Sequence, residues 1–178
     1  MDRGALDAAL ELGAECGGWC PAGRLAEDGT IPERYPVMEM PTAAYSARTA
    51  RNVAESHGTL VICNGEARGG TRETLEFCRE QGRPHLVIDC EEVAIEAAID
   101  RAVEFVQRLS SRADARDPTS RQNATRELRG SSPSARLGIT ILNVAGPRAS
   151  QWADGHEVAH QIVAALLRRL GGHQSGPE

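Results

Sequence analysis

Apolar residues follow two patterns along the chain, short uninterrupted runs and stripes spaced by three or four residues. The runs at 59–63, 86–88 and 137–145 have the length of strands, and their continuity predicts burial on both faces of a parallel sheet. The stripes predict amphipathic helices. These helices are expected at 2–12, 43–54, 95–109 and 155–170, with a further one beginning near Thr71. Because strands and helices alternate, the pattern predicts an α/β domain with helices packed on a mainly parallel sheet.

Three segments lack this periodicity. Residues 21–42 are rich in Gly, Pro and charge, and we expect a long loop with a functional role. Residues 110–136 are dominated by Arg, Ser, Asp and Asn, which predicts a flexible linker or insertion. Residues 171–178 are predicted to be a disordered tail. A single domain, formed by 1–109 and 137–170, then remains.

The composition removes several classes of function. All 20 basic residues are arginine, so neither Schiff-base catalysis nor a phosphate-loop lysine is available. The net charge of -5 and the pI near 5.6 argue against a nucleic-acid-binding surface. No apolar run approaches the ~18 residues that span a bilayer, and the sequence does not begin with a signal peptide. We therefore expect a cytoplasmic protein with a small-molecule partner.

The chain has five cysteines, and this odd number predicts free thiols rather than a disulfide framework. Cys16 and Cys20 are separated by three residues, which without a second pair is weak support for zinc. We interpret them as small buried or loop residues.

The turn after the first apolar run has the character of an anion site. In a doubly wound sheet, ligands bind where strands end at their carboxyl side. Here Gly65, Gly69 and Gly70 lead into a helix near Thr71, whose free N–H groups and dipole favour an anion. The turn lacks the Lys-Ser/Thr of ATP-hydrolysing loops and the GxGxxG of dinucleotide sites. An ordinary tight loop is the alternative.

The other two apolar runs are also followed by polar candidates. Asp89 can accept hydrogen bonds from ribose hydroxyls, or it can cap the next helix. After the third run, Arg148 can make a forked contact with a phosphate and Ser150 can add a hydroxyl, although a surface arginine is the alternative. Asn143 and Gly146 belong to the same strand end. Together these residues predict a site for a small phosphorylated ligand at one sheet edge.

Residues 156–160 match HExxH, a zinc-protease pattern that places two histidines on one helical face with a glutamate between them. Asp154 stands three residues before Glu157, which predicts a capping box and explains the glutamate without catalysis. The pattern also lacks an evident third ligand. We therefore predict no metal site, and a zinc-dependent hydrolase is kept as an alternative.

The segment CGGWCPAGRLAEDGTIPERYP at 16–36 resembles the most distinctive block of the circularly permuted YpsA branch of the SLOG superfamily. GGTRET at 69–74 and LNVAGPRAS at 142–150 resemble its other two blocks. The resemblance implies a Rossmann-like, three-layer αβα fold with a mainly parallel sheet. It also implies binding of a nucleotide or the molybdenum cofactor, with carriage of that cofactor as the family's assigned role. The 16–36 block adds Gly18, Trp19, Arg24 and Asp28 to the cofactor-binding candidates.

Two departures from the family pattern shape the functional prediction. Family members begin with a strand and a GGQTG-type turn before the segment at which this sequence starts, so we expect an upstream start. The related LOG phosphoribohydrolases resemble PGGxGTxxE, but Thr74 occupies the position of that glutamate and Glu73 is predicted to point about 100° away. No catalytic residue is assigned, and a carrier or sensor is favoured over an enzyme. A LOG-like phosphoribohydrolase is the alternative, and a homo-oligomer is compatible with the sequence.

Overall fold

The computed structural model of the protein describes residues 2–116, 134–137 and 140–171. Within these residues lie five helices: α1 (Asp2–Glu11), α2 (Tyr45–Glu55), α3 (Gly69–Glu80), α4 (Ile95–Arg116) and α5 (Gly155–Gly171). The same residues form the strands β1 (Gly18–Cys20), β2 (Leu25–Ala26), β3 (Gly29–Thr30), β4 (Val37–Glu39), β5 (Gly58–Cys63), β6 (His85–Asp89), β7 (Ser134–Leu137) and β8 (Thr140–Ala145). A short 3-10 turn at Ala22–Arg24 precedes β2.

The central sheet has the strand order β6-β5-β8-β7. β5 pairs in parallel with β6 and with β8, so that Val61 is level with Val87 on one side and Ala145 on the other. β7 runs antiparallel to β8. Two smaller pairs lie outside this sheet, β1 with β4 in parallel and β2 with β3 as an antiparallel hairpin. The sheet is thus mainly parallel, as the apolar runs predicted.

Helices cover both faces of the sheet and complete three layers. α1, α4 and α5 pack on one face, where Leu60, Ile62, Ile88 and Leu142 are fully buried. Along β5, Leu60 and Ile62 alternate with the equally buried Val61, which faces the layer of α2 and α3. The three-layer, Rossmann-like α/β fold is therefore confirmed.

α1 and α5 approach each other closely because small residues form their contact. Ala5, Ala8 and Ala9 of α1 are buried there. At Gly4, an added Cβ would lie 2.2 Å from the carbonyl oxygen of His156. Only a hydrogen atom fits between the two backbones at this point. Gly4 therefore sets the separation of the helices and, with it, the position of His156.

The predicted helices lie close to their expected bounds, but α2 buries a different face. α4 buries Ile99 and three other members of its predicted stripe, as expected. The sequence pattern predicts that the alanines at 43, 47, 50 and 54 form the buried face of this helix. Instead, α2 buries Thr49, Asn52 and Val53. The Asn52 amide explains this, because it bonds both the backbone N–H of Trp19 (3.1 Å) and its carbonyl (3.3 Å) and so anchors β1. No helix among the described residues is long and apolar enough to cross a membrane.

The long loop expected at 21–42 is an ordered structure organised by Arg24. Its guanidinium donates to the carbonyls of Ile31 (3.0 Å), Pro32 (2.9 Å), Tyr35 (2.9 Å) and Val37 (3.0 Å). Four carbonyl acceptors from one loop satisfy the fork of donors and draw the segment around it. The expectation of a loop without regular structure is wrong. The hydrogen bonds of one side chain order this segment, and such bonds produce no apolar periodicity in the sequence.

Sheet position also changes two predicted strands. β6 is an edge strand, and its Val87 is 39% exposed, so the expectation of burial on both faces is wrong for this strand. The apolar run at 137–145 forms two strands instead of one, since β7 ends at Leu137 and β8 begins at Thr140 with the opposite direction. Residues 138–139 lie outside the described part of the chain.

The segment whose composition predicted a linker is bounded by regular structure on both sides. α4 continues to Arg116 and β7 begins at Ser134, so the ends of the 110–136 segment belong to a helix and a strand. Residues 117–133 lie outside the described residues, as does the predicted tail from 172 onward. Gly171, the first residue of that tail, is the last residue of α5.

Candidate functional site

A cleft of about 360 Å³ opens at the carboxyl ends of β5 and β8. Gly70 and Thr71 line it beyond β5, and residues 145–149 line it beyond β8. The two strands are neighbours in the sheet, so the segments that follow them meet at one edge. At Gly69, an added Cβ would lie 3.8 Å from Nε2 of Gln151, which shows how close the two segments come. The cleft therefore occupies the place where parallel α/β sheets bind ligands.

The N-terminal turns of four helices border this cleft. They contribute Asp2 and Arg3 from α1, Tyr45 and Arg48 from α2, Gly70 and Thr71 from α3, and His156 from α5. A helix N-terminus carries about half a positive charge and N–H groups without intrahelical partners. Four such ends favour an anion in this cleft, whose lining also carries the carboxylates of Asp2, Glu27, Asp28 and Glu73.

Three arginines add full positive charges to the same cleft. Arg148 is exposed, and its guanidinium carbon lies 5.2 Å from the centre of the Tyr45 ring. Arg3 pairs with Asp28 at 2.5 Å, and Arg48 makes a longer contact of 3.3 Å with Asp2. The Nε atom of Arg48 is buried and has no hydrogen-bond partner among the described residues. A buried donor without an acceptor is costly, and this one belongs to a side chain that lines the cleft.

Two carboxylates at the tip of the β2–β3 hairpin also border the cleft. We call Glu27 and Asp28 the acidic tip. Glu27 accepts hydrogen bonds from the hydroxyl and the backbone N–H of Ser150, and Asp28 accepts from Arg3. The Ser150 hydroxyl lowers the pKa of Glu27, and the hydrogen bond from Arg3 lowers the pKa of Asp28. Both side chains therefore hold their charge while bound to donors in the cleft wall.

The structure brings about half of the sequence-predicted residues to the cleft. Those that line it are Trp19, Asp28, Gly70, Thr71, Gly146 and Arg148. Gly69 opens α3 beside them, and Ser150 bonds the acidic tip. Gly18 begins β1, and the Arg24 side chain donates to carbonyls within the 16–36 block. Asn143 is buried in β8, where its amide donates to the Thr59 hydroxyl at 3.3 Å.

A hydrogen bond joins Gly65 to Asp89 at the end of the sheet. The Asp89 carboxylate accepts from the N–H of Gly65 at 2.8 Å and from the N–H of Glu91 at 3.0 Å. Gly65 has a positive φ of 77°, which glycine adopts without strain. Both backbone donors to Asp89 lie outside α4, which begins at Ile95, so Asp89 does not cap the next helix as the alternative expected; neither Asp89 nor Gly65 borders the cleft.

Several cleft residues were not found by reading the sequence. Arg3, Arg48 and Tyr45 lie in first turns of helices, and nothing in their spacing shows that these turns converge. Glu73 lines the cleft together with Thr74, although successive positions of a helix point about 100° apart. The cleft wraps around the end of α3 far enough to reach successive positions of its first two turns.

The histidines of the HExxH match bind carboxylates of α1. Nε2 of His156 lies 3.0 Å from Asp7, and Nε2 of His160 lies 2.8 Å from Glu11. Glu157 accepts a hydrogen bond from the Gln161 side chain one turn later. Among the described residues, no three His, Cys, Asp or Glu side chains are grouped to hold a metal ion. The motif's side chains thus tie α5 to α1 and stabilise its own surface.

All five cysteines are free thiols, as their odd number predicted. Cys20, Cys63 and Cys78 are buried. Burial raises the pKa of Cys63 to about 11, and it raises the pKa of the other four thiols in the same direction. Thiols of this kind are protonated near neutral pH and are poor nucleophiles and metal ligands.

A mainly parallel sheet between two layers of helices, with a cleft at its carboxyl edge, defines a Rossmann-like α/β protein. Within this class, the chain belongs to the circularly permutated YpsA SLOG family, whose model matches residues 1–114. This match confirms the resemblance that the blocks at 16–36 and 69–74 indicated.

One solved structure extends the similarity over nearly the whole chain. The crystal structure of a proposed molybdenum carrier protein from Syntrophus aciditrophicus SB is similar with a TM-score of 0.75 and 33% sequence identity. The similarity covers 93% of this chain and 87% of that one. A comparison with curated proteins gives no match.

Proposed function

We propose that this protein binds a small phosphorylated ligand, a nucleotide or a pterin cofactor, and that it works as a molybdenum-cofactor carrier or a nucleotide sensor. The convergence of four helix N-termini on one cleft carries this proposal. Each end favours an anion, and N–H groups at helix ends bind phosphate in many unrelated proteins. The similarity to a proposed molybdenum carrier supports the pterin branch.

The dimensions and donors of the cleft suit such a ligand. Its volume of about 360 Å³ falls in the range of small-molecule sites. Arg148 can supply a forked contact to a phosphate, and the first turn of α3 at Gly70 and Thr71 supplies backbone donors beside it. Arg48, which also lines the cleft, adds a second guanidinium.

Trp19 forms an aromatic wall of the same cleft. The guanidinium of Arg51 lies 3.5 Å from its ring centre, and its indole N–H donates to Glu55 at 2.8 Å. These contacts hold the ring in one orientation at the edge of the cleft. A flat heterocycle with a phosphate tail, such as a pterin, would meet a fixed aromatic surface and a cationic site in one cleft. The molybdenum cofactor would then be cargo, held by Arg148, Arg48 and Trp19 for delivery elsewhere.

Isothermal titration with nucleoside phosphates and inorganic pyrophosphate tests the phosphate site. Arg148→Ala should weaken binding by about 1.5–3 kcal/mol, the scale of a hydrogen bond to a charged group, which corresponds to roughly 10- to 150-fold. Arg101→Ala is the matched control, since Arg101 is exposed on α4 away from the cleft. Equal affinities for the Arg148 variant and the wild type would reject the assignment. Native mass spectrometry of protein purified without added ligand then identifies a retained nucleotide or pterin by its mass.

A second candidate function rests on Glu73. Its half-buried carboxylate lines the cleft, which favours the LOG-like phosphoribohydrolase alternative even though Thr74 occupies the position of the family's glutamate. Release of free base from nucleoside monophosphates, lost in Glu73→Gln, would establish this activity. Stable binding of a nucleotide without release of base would leave the carrier or sensor role.

A further inference from the structure

The two carboxylates of the acidic tip accept hydrogen bonds from two separate sets of donors, each of a kind that can bind an anion. Glu27 takes the hydroxyl and the backbone N–H of Ser150, at the end of β8, and the positive charge of Arg148 acts on it. Asp28 takes the guanidinium of Arg3, in the first turn of α1. The two carboxylates thus bind separate donor sets on different elements.

These donors have the chemistry that binds phosphate. A serine hydroxyl, a backbone N–H after a strand and an arginine fork donate hydrogen bonds to carboxylate or phosphate oxygens alike. Arg3 lines the cleft that four helix N-termini border, and Ser150 lies between Ala149 and Gln151, which line it as well. A bound ligand's anionic groups and the carboxylates of the acidic tip would therefore compete for the same partners.

We infer that the acidic tip is an internal competitor that fills two neighbouring anion subsites, and that the ligand carries a diphosphate that displaces it. This inference rests on the proposed function. It specifies the class of ligand and identifies the acidic tip as the segment that the ligand must displace. Glu27 and Asp28 are consecutive, with Cα atoms ~3.8 Å apart, so the donors of both subsites lie within reach of two neighbouring side chains. A ligand with adjacent anionic groups can fill both, whereas a monophosphate fills only one.

The hairpin that carries the tip is built to move. β2 and β3 pair through only two residue pairs, Leu25 with Thr30 and Ala26 with Gly29. The residues 27–30 are exposed, and Gly29 has a positive φ of 116°. Below the tip, Arg24 fixes the segment through four carbonyls. The tip can therefore leave the cleft while the base of the hairpin keeps its place.

Titration of the variants Glu27→Gln, Asp28→Asn and their double with inorganic pyrophosphate and inorganic phosphate tests this. Removing the competitor should tighten pyrophosphate binding about fivefold in the double variant, the factor that corresponds to an exposed ion pair of ordinary strength. Phosphate should gain less. Arg3→Ala should abolish the preference of the wild type for pyrophosphate over phosphate, because it removes one subsite.

Two controls separate displacement from a simple change of charge. Glu33→Gln makes the same charge change in the same segment outside the cleft. Glu33→Gln combined with Glu76→Gln makes the charge change of the double variant at two exposed residues outside the cleft. Both should leave the ratio of pyrophosphate to phosphate affinity unchanged. A gain in the Glu33→Gln and Glu76→Gln pair equal to that of the acidic-tip double variant would overturn the inference.

Hydrogen exchange of amides 26–30 provides a readout that does not require a bound anion. The double variant should exchange faster than the wild type, and saturating pyrophosphate should speed exchange in the wild type. Protection of these amides by pyrophosphate, or equal exchange in the variant and the wild type, would overturn the gate. If neither the wild type nor the double variant binds any anion, the proposed function fails as well. If the wild type binds and the double variant gains nothing, only the inference fails.

Discussion

Replacing Gly4 with alanine tests the close packing that places α1 and α5 beside the cleft. The added Cβ would lie 2.2 Å from the carbonyl oxygen of His156, 3.0 Å from its carbonyl carbon and 3.3 Å from its Cα. All three atoms are backbone, so no flexible side chain can yield. Ordinary contact begins at 3.4 Å, and the helices must therefore separate by about 1 Å.

The size of the effect follows from two opposing terms. Overpacking of a close contact costs about 1–3 kcal/mol. Alanine is a better helix former than glycine by about 1 kcal/mol, which offsets part of this cost. Because the contact at 2.2 Å is with backbone, the cost lies at the upper end of its range, and we expect the free energy of unfolding to fall by about 2 kcal/mol. For a domain of this size, that corresponds to a decrease in Tm of roughly 4–8 °C.

Thermal unfolding followed by circular dichroism measures this change. Gly70→Ala is the matched control, because nothing lies within 4 Å of its added Cβ and it also occupies a helix. The control should keep or slightly raise the Tm. If Gly4→Ala were as stable as the wild type, the contact between the two backbones would not set the helix separation, and the reasoning would fail.

Two further predictions concern the 16–36 block and the buried thiols. Arg24→Ala should lower stability by about 3 kcal/mol in urea unfolding, because four carbonyls lose a charged donor, and a loss below ~0.5 kcal/mol would contradict its organising role. The pKa of Cys63 is raised from 9.0 to about 11, so its contribution is complete below pH 9 and is lost as the pH rises toward 11. That loss amounts to about 2–3 kcal/mol. Urea unfolding from pH 8 to 11 should show a shallower decline in Cys63→Ala than in the wild type, and parallel declines would count against burial as the cause.

Prediction from sequence worked best where burial follows a repeating local pattern. β5 was identified because six consecutive buried positions produce an uninterrupted apolar run. α4 and α5 were identified because their apolar residues recur on one helical face. The 16–36 block indicated the family, and the family match over residues 1–114 agrees with it.

Prediction failed where long-range neighbours decide the environment. β6 has an apolar sequence much like that of β5, yet it is an edge strand of the sheet that the described residues form, and its Val87 is 39% exposed. The order of residues 21–42 depends on one side chain, Arg24, whose acceptors lie 7 to 13 residues further along. Such contacts leave no periodic signal.

The candidate site shows the same division. The cleft-lining residues Gly70, Thr71 and Arg148 could be predicted, because strand ends in a parallel sheet meet at one edge whatever the details of packing. The sequence by itself thus determined the kind of fold, the edge that carries the cleft and the family. Only the tertiary structure decided that Arg3, Arg48 and the acidic tip meet there, since the approach of α1, α2 and the hairpin depends on contacts between residues far apart in the chain.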